Sequence, residues 1–472
     1  MAARRSASAR AVRAIAVTGL LTASLLQSWA PVAAAGPTRT VTAPNLTGVP
    51  FAPAIFWFGK VDMSANYADV RVWYYEPYLK VVVHVTDRVL WHDPNPDPTR
   101  LTAWDAVSLY LDIAGSTGAT TATSSHRFDK QLWGGDAATQ KAAFRGNGTG
   151  WAPAATPFTT ADSWRGNGPN DDVWDAGWEA EFLIPFASLG LTGPPATGTT
   201  WGLALALHDR DDAAGTPIAD QVWPESMIPT RPESWGQLRF GRETYSPPPT
   251  TIAGTTVVRQ GLSGAVVADA AVGGHTICGG SLNEWTEWGA ANYAGYAQFN
   301  VQNQWDVSDF TCFSKYYVTF PLAAVPPTRT IVSAKVSLTL FGNAGFTPTD
   351  AKPSSVNVMT VATDWDERTI TWNTAPYASE DVSTTWVHPV SAEHPAGPYE
   401  WDVSLAVAKA YAAGQPLRLV FYSTDGDYHS GKYFWSSDAD AGLATSRPTL
   451  QVTWGVPAAA PTAPTGVRVR VP

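Results

Sequence analysis

The sequence predicts an all-β chain: two antiparallel β-sandwiches in tandem, jelly-roll or immunoglobulin-like, with one short helix in the second. Three observations carry this. Strings of residues alternate apolar and polar with period two, 39 Gly and 37 Pro cut those strings into short lengths, and a proline run falls near the middle of the 472 residues. No stretch keeps a 3.6-residue apolar period over several turns, which argues against a helical bundle. At roughly 100–200 residues per domain the length fits two or three domains. With 44% hydrophobic residues the chain can fill their cores.

Residues 1–35 have the three parts of an export signal. Arg4, Arg5, Arg10 and Arg13 precede an apolar run from Ala14 to Trp29, and Ala33-Ala34-Ala35 offers small residues for cleavage. The run is shorter than the ~20 residues a membrane span needs. The expectation is a secreted, extracellular product with no membrane insertion. Removing those four arginines takes the net charge from −10 to −14, which excludes nucleic acid as a partner on bulk charge. Cys278 and Cys312 are the only cysteines, and in an oxidising compartment they are expected to form a disulfide.

In the first sandwich, expected over 45–241, Val70, Val72 and Tyr74 begin the alternation. Leu79 to Val85, Val107 to Ile113, Trp178 to Ile184 and Trp201 to Leu207 continue it. Trp178 and Trp201 are in phase with the buried positions and are expected in the core. Ser246-Pro247-Pro248-Pro249-Thr250-Thr251 marks an extended connector, 246–254. The second sandwich, expected over 255–454, alternates at Val336 to Leu340, Val356 and Val358, Leu417 to Phe421 and Leu450 to Trp454. Its helix is expected from Val403 to Ala413, with Asp402 as N-cap and Gly414 and Pro416 as the stop. Residues 456–472 read as a linker followed by an opening strand similar to a fibronectin type III domain.

The search for catalytic motifs is mostly negative. There is no His-Glu-x-x-His, no Gly-x-Ser-x-Gly, no phosphate-binding glycine loop and no Cys-x-x-Cys. Loop carboxylates remain: Asp171, Asp172, Asp175, Glu179 and Glu181, or Asp209, Asp211 and Asp212, could in principle supply a glycosidase pair. No cofactor is called for, but the run Asp209-Arg210-Asp211-Asp212 is suited to a structural Ca²⁺. A haem alternative would use Met63 or Met227 with a histidine such as His208. The tryptophans are the positive sign. Several of the 22 sit in loop-like sequence, at Trp91, Trp133, Trp164 and Trp223. An exposed indole stacks on the C–H face of a sugar ring while neighbouring polar groups bind its hydroxyl rim.

Ordered pieces of the first half resemble carbohydrate-binding module family 9 and DOMON-like sandwiches. They are Asp69-Val70-Arg71-Val72, Leu79 to Asp87, Trp104-Asp105-Ala106-Val107-Ser108-Leu109-Tyr110-Leu111-Asp112, Gly177 to Pro185, Trp201 to Asp209, and Trp235 to Phe240. Members of that family grip the end of a sugar chain between two tryptophans, helped by an arginine and other polar groups. The resemblance places Trp104 at the first clamp position, Arg127 near the arginine and Asp209 at the polar rim. The second clamp position, in Ser226-Met227-Ile228-Pro229-Thr230, has no aromatic, so Trp223 would substitute.

The second half is similar to the DNRLRE-type sandwich of carbohydrate-binding module family 96. The motif runs through Lys315 to Leu322, Ile331 to Leu338, Asp364-Trp365-Asp366-Glu367-Arg368-Thr369-Ile370-Thr371-Trp372-Asn373-Thr374-Ala375-Pro376, and Tyr433 to Asp438. Trp365, Trp372 and Asn373 are expected to brace a turn. Together the resemblances imply a secreted, non-catalytic protein that docks a polysaccharide or oligosaccharide for a carbohydrate-active partner enzyme or a cell surface. Two alternatives stay open: a structural or adhesive exoprotein whose tryptophans are core, and a hydrolase that uses the loop carboxylates.

Overall fold

A computed structural model describes residues 38–458 apart from 277–281, 306–309, 346 and 348. The segment 1–35 expected to serve export, Cys278 and residues 459–472 lie outside the described residues, and so does the expected Cys278–Cys312 pairing. Cys312 itself is buried and ends the turn Phe310–Cys312.

Among the described residues the regular secondary structure is almost entirely strand. In the first half β1 (Thr40–Ala43), β2 (Ala54–Asp62), β3 (Ala65–Tyr75), β4 (Tyr78–Thr86), β5 (Ala106–Asp112), β6 (Ser125–Gln131) and β7 (Lys141–Gly146) come first. They are followed by β8 (Trp151–Pro153), β9 (Thr159–Arg165), β10 (Gly177–Pro185), β11 (Thr200–His208), β12 (Gln221–Trp223) and β13 (Gly236–Phe240). One sheet runs β2-β3-β4-β10-β9, and it faces the layer β13-β11-β5-β6-β7-β8, with β12 beside β11. The expected alternation is what closes this sandwich: Val70, Val72, Leu79, Val81, Val83, Leu109, Trp178, Phe182, Trp201 and Leu205 all point into one buried cluster.

The second half contains β14 (Thr250–Arg259), β15 (Ala268–Val272), β16 (Gln298–Val301), β17 (Lys315–Phe320), β18 (Thr330–Asn343) and β19 (Ser354–Thr360). After these come β20 (Glu380–Val387), β21 (Gly397–Asp402), helix α1 (Ser404–Ala412), β22 (Leu417–Ser423), β23 (Lys432–Trp435) and β24 (Thr449–Pro457). The sheet β14-β24-β18-β23-β16, with β21 beside β18, packs on β15-β17-β22-β19-β20 over a second buried cluster. Thr250 already begins β14 and pairs with Pro457 of β24, so the last residues of the expected connector are sheet.

The helix is where expected but is capped differently. Val403, not Asp402, precedes its first turn, while Asp402 Oδ1 accepts a 2.8 Å hydrogen bond from the Ser404 amide. Gly414, at φ 63°, takes the left-handed position that ends the helix.

The two sandwiches are not beads on a string. β1 runs parallel to β13 on one side and to β20 on the other, which stitches the inner layers into a single 13-stranded sheet. These are the only parallel ladders among the described strands. Just before β1, Arg39 donates to Tyr377 O at 2.8 Å and Ala378 O at 3.1 Å and pairs with Glu225. A third buried cluster then joins the halves: Ile55, Trp57 and Tyr67 from the first pack with Trp288, Trp305, Tyr317, Trp372 and Tyr422 from the second. Burying one large apolar side chain is worth roughly 1.5–3 kcal/mol. The joint is therefore a core in its own right.

Candidate functional site

The loops 87–105, 132–140, 166–176 and 209–220 leave the first sandwich at one end, because β4 and β10, β5 and β6, and β5 and β11 pair antiparallel with those ends together. Most of the loop tryptophans gather here. Trp133 and Trp164 lie 4.3 Å apart, His92 stacks on Trp133 at 5.7 Å, and Trp174 is 51% exposed beneath the Arg88 guanidinium. Trp104 closes the turn Leu101–Ala103 and is half-buried, with Gly215 of the 209–220 loop over its ring. It keeps part of its indole accessible.

Arg127 is on the outward face of β6. Its Nε and Nη2 donate to Asp129 at 2.7 and 2.6 Å, and its guanidinium lies 4.9 Å from the Phe144 ring and 6.0 Å from the Tyr110 ring. Asp129 also accepts from Ser108 Oγ at 2.7 Å. Ser108 is 3.0 Å from His208 Nε2, and His208 Nδ1 is 3.0 Å from Asp220. The spacing is that of a Ser-His-Asp triad, but Ser108 is fully buried and its hydroxyl proton already goes to Asp129. A serine sealed from solvent and hydrogen-bonded to a carboxylate is not an accessible nucleophile.

Asp209 is buried and belongs to an acid cluster. Oxygens of Asp87, Asp209 and Asp211 lie within 4.8 Å of one another, and Asp105 beside them accepts from the Arg210 and Trp91 amides at 2.8 and 2.7 Å. Burial, then Asp211, pushes the Asp209 carboxyl up to about 7; burial, then Asp209, pushes Asp87 and Asp105 well up. Among the described residues Asp87 Oδ2 and Asp209 Oδ1 have no hydrogen-bond partner, while Asp211 Oδ2 accepts from Arg88 Nη2 at 2.8 Å. The set differs from the expected Asp209-Arg210-Asp211-Asp212. Asp212 is spent on the loop, accepting from the Ala214 and Thr216 amides, and Arg210 turns to the carbonyls of Ala103 and Thr102. Asp87, from the end of β4, takes the vacated place. Carboxylates with unused lone pairs and raised pKa values fit an oxygen-ligated cation such as Ca²⁺.

Trp104 and Asp209 both lie at this loop end, Arg127 on the outward face of β6, and Trp223 in the core. Trp223 is 1% exposed, 4.2 Å from the Phe56 ring, and only Gly236 leaves room for it, since a Cβ there would meet the indole at 2.6 Å. A core residue cannot clamp a sugar, so the substitution expected for the second clamp is corrected. Trp178 and Trp201 are buried as expected. Met227 packs with Tyr110 and Trp235, while Met63 is exposed.

In the second half Trp372 is core, and Asn373 does more than brace a turn. Its Oδ1 accepts from the Val61 amide and its Nδ2 donates to the Val61 carbonyl, both at 2.9 Å, so one side chain pairs like a strand with β2 of the other sandwich. An aromatic strip faces outward on β18 and β23. Phe341 stacks on Trp435 at 4.3 Å and lies 6.3 Å from Tyr433. Beside it, the same sheet presents a polar groove of about 350 Å³ lined by Lys335, Ser337, Thr339, Glu400 and Gln451. The signal was there: three aromatics in a row, Tyr433-Phe434-Trp435, cannot all face the core of a strand.

Two solved structures similar to this chain are carbohydrate-binding modules of family 9 from Caldicellulosiruptor kristjanssonii. The complex with cellotriose is 15% identical, with 43% of this chain and 95% of that chain covered at a TM-score of 0.31. The complex with glucose is 15% identical, with 44% and 98% covered at 0.31. No curated protein matches. Residues 286–453 match the model of carbohydrate-binding module family 96, the family whose motif the second half carries.

Proposed function

We propose that this is a secreted, non-catalytic carbohydrate-binding protein that docks a polysaccharide for a partner enzyme or a cell surface. The observation that carries this reading is the family 96 match over 286–453, in a half whose open sheet presents Phe341, Tyr433 and Trp435 outward beside a polar groove. Flat aromatic faces and hydroxyl-binding side chains on a rigid sheet are what a sugar chain needs. In the first half, Trp104 and Arg127 supply a partly exposed indole and a positioned guanidinium. Export is supported by the composition of 1–35, and Cys278–Cys312 pairing would follow from it. A structural Ca²⁺ at Asp87, Asp209 and Asp211 neutralises the buried acids that hold the loop end.

Affinity electrophoresis of the whole protein through gels containing soluble polysaccharides tests the reading. Retardation by at least one polysaccharide, reduced by Trp435→Ala, is the expected result. Unretarded migration in a broad set would leave the structural reading, in which the tryptophans serve only packing.

A further inference from the structure

The outward face of β3, β4 and β10 looks across a cleft of about 380 Å³ at the second sandwich. Its floor is charged and fixed. Lys80 pairs with Glu181 at 2.7 Å, His84 Nε2 with Glu179 at 2.5 Å, and Arg71 reaches His84 Nδ1 and the Thr424 carbonyl, each at 2.5 Å. With an arginine donor on Nδ1, the histidine carries its proton on Nε2, toward Glu179. Aromatic rings flank this floor from both halves. Trp73, with Phe51 edge-on at 5.1 Å, stands on one side, and Trp386 of β20 on the other.

The far wall contains Asp425. One of its oxygens is saturated, accepting from Ser423 Oγ at 2.6 Å, Ser354 Oγ at 2.8 Å and the Ser355 amide at 3.0 Å. Asp425 is only 8% exposed and its other oxygen, Oδ1, is shielded from solvent, so the acceptors that the cleft offers a ligand are those of Glu179 and Glu181 on the floor and the exposed Asp427 on the far wall. Counting the lining, Arg71 and Lys80 face Glu179, Glu181, Asp425 and Asp427, so the cleft is negative. Such a cleft repels an acidic ligand and wastes its acceptors on an apolar one. A ring with C–H faces and donating hydroxyls satisfies both walls.

We propose that the cleft between the sandwiches is a second binding site, for a short segment of a neutral, hydroxyl-rich glycan. The proposal rests on the carbohydrate-binding reading above and adds a site and a ligand class to it. The test is calorimetric titration of the whole protein carrying Trp435→Ala, so that the outer strip is silent, with neutral cello-, xylo- and manno-oligosaccharides and with acidic oligogalacturonate. Binding of a neutral oligosaccharide is expected, weakened about tenfold or more by adding Trp386→Ala. Phe51→Ala, at a half-exposed loop position, is the second variant and should act in the same direction without threatening the fold. Loss of all glycan binding with Trp435→Ala alone would overturn the cleft site and leave the carbohydrate reading standing. Preference for oligogalacturonate would overturn the ligand class. A parent protein that binds no glycan at all would remove both.

Discussion

The side-chain nitrogen of Lys315, on β17 of the second sandwich, lies 3.4 Å from the centre of the Trp372 ring. It is boxed in by Trp57, Tyr67 and Tyr422 at 4.3, 4.6 and 4.7 Å, and it donates to Tyr67 Oη at 2.7 Å. Two of those rings belong to the first sandwich. Burial pushes the lysine pKa well down, against the pull of Asp69. A cation or amine held by rings from both halves makes this residue the centre of the joint.

Lys315→Ala should therefore cost about 3–5 kcal/mol of global stability, through the cavity and the loss of the donor to Tyr67 Oη. Lys315→Met, which keeps the volume, should cost less than half as much. Denaturant titration followed by probes in each half should show one coincident transition. Two separate transitions would mean that the joint does not couple the sandwiches.

Chelation should lower the melting temperature, and added Ca²⁺ should restore it, because a ligand that binds only the folded state stabilises it by about 2.7 kcal/mol at a hundred times its dissociation constant. Asp87→Asn should remove that calcium-dependent shift. Differential scanning fluorimetry with and without chelator decides it, and indifference of the parent protein to every divalent cation would sink the metal reading.

Asp381, on β20, is buried at the seam, where its Oδ2 accepts from the Thr42 amide of β1 at 2.9 Å and its Oδ1 has no partner. Burial raises its pKa from 3.8 to about 7, with Arg242 opposing and Glu380 adding to the rise. A raised carboxyl pKa means that the folded state holds the proton more tightly. Its contribution is present in full below pH 3.8 and is lost as the pH climbs through about 7. The stability of Asp381→Asn relative to the parent should thus improve as pH rises across that window, as measured by urea titration at several pH values. A difference that does not change with pH would count against it.

Trp223→Ala should cost about 3–5 kcal/mol and leave the glycan affinity of the folded protein unchanged. Trp104→Ala should do the reverse, with a small stability cost and weaker binding to the first half. Paired melting and binding measurements on the two variants separate these outcomes.

The strands were legible because a half-buried strand writes its face into the sequence: Val70-Arg71-Val72 and Leu79-Lys80-Val81 could be read directly. Trp223 misled because Trp223-Pro224 in polar surroundings reads as a loop, whereas a three-residue strand turns the indole inward. The joint was harder to see, since contacts between Val61 and Asn373 carry no local period. Its trace was the unbroken run Ile55-Phe56-Trp57-Phe58, whose two faces serve two different cores. Asp87 was invisible as a partner of Asp209 for the same reason: only the pairing of β4 with β10 and the packing of the two sheets bring those loops together.

The hydrogen bonds from Arg39 to the segment 377–379 span up to 340 positions of chain. Closing a loop of that length is slow, and its entropy must be spent before the contact is gained. During synthesis from the N-terminus, β1 can pair early with β13 but must wait with its other edge open until β20 arrives. For that interval the first sandwich carries a bare sheet edge and an unfilled face at Ile55 and Trp57, so this is a protein whose passage to the folded state needs protection from its own copies.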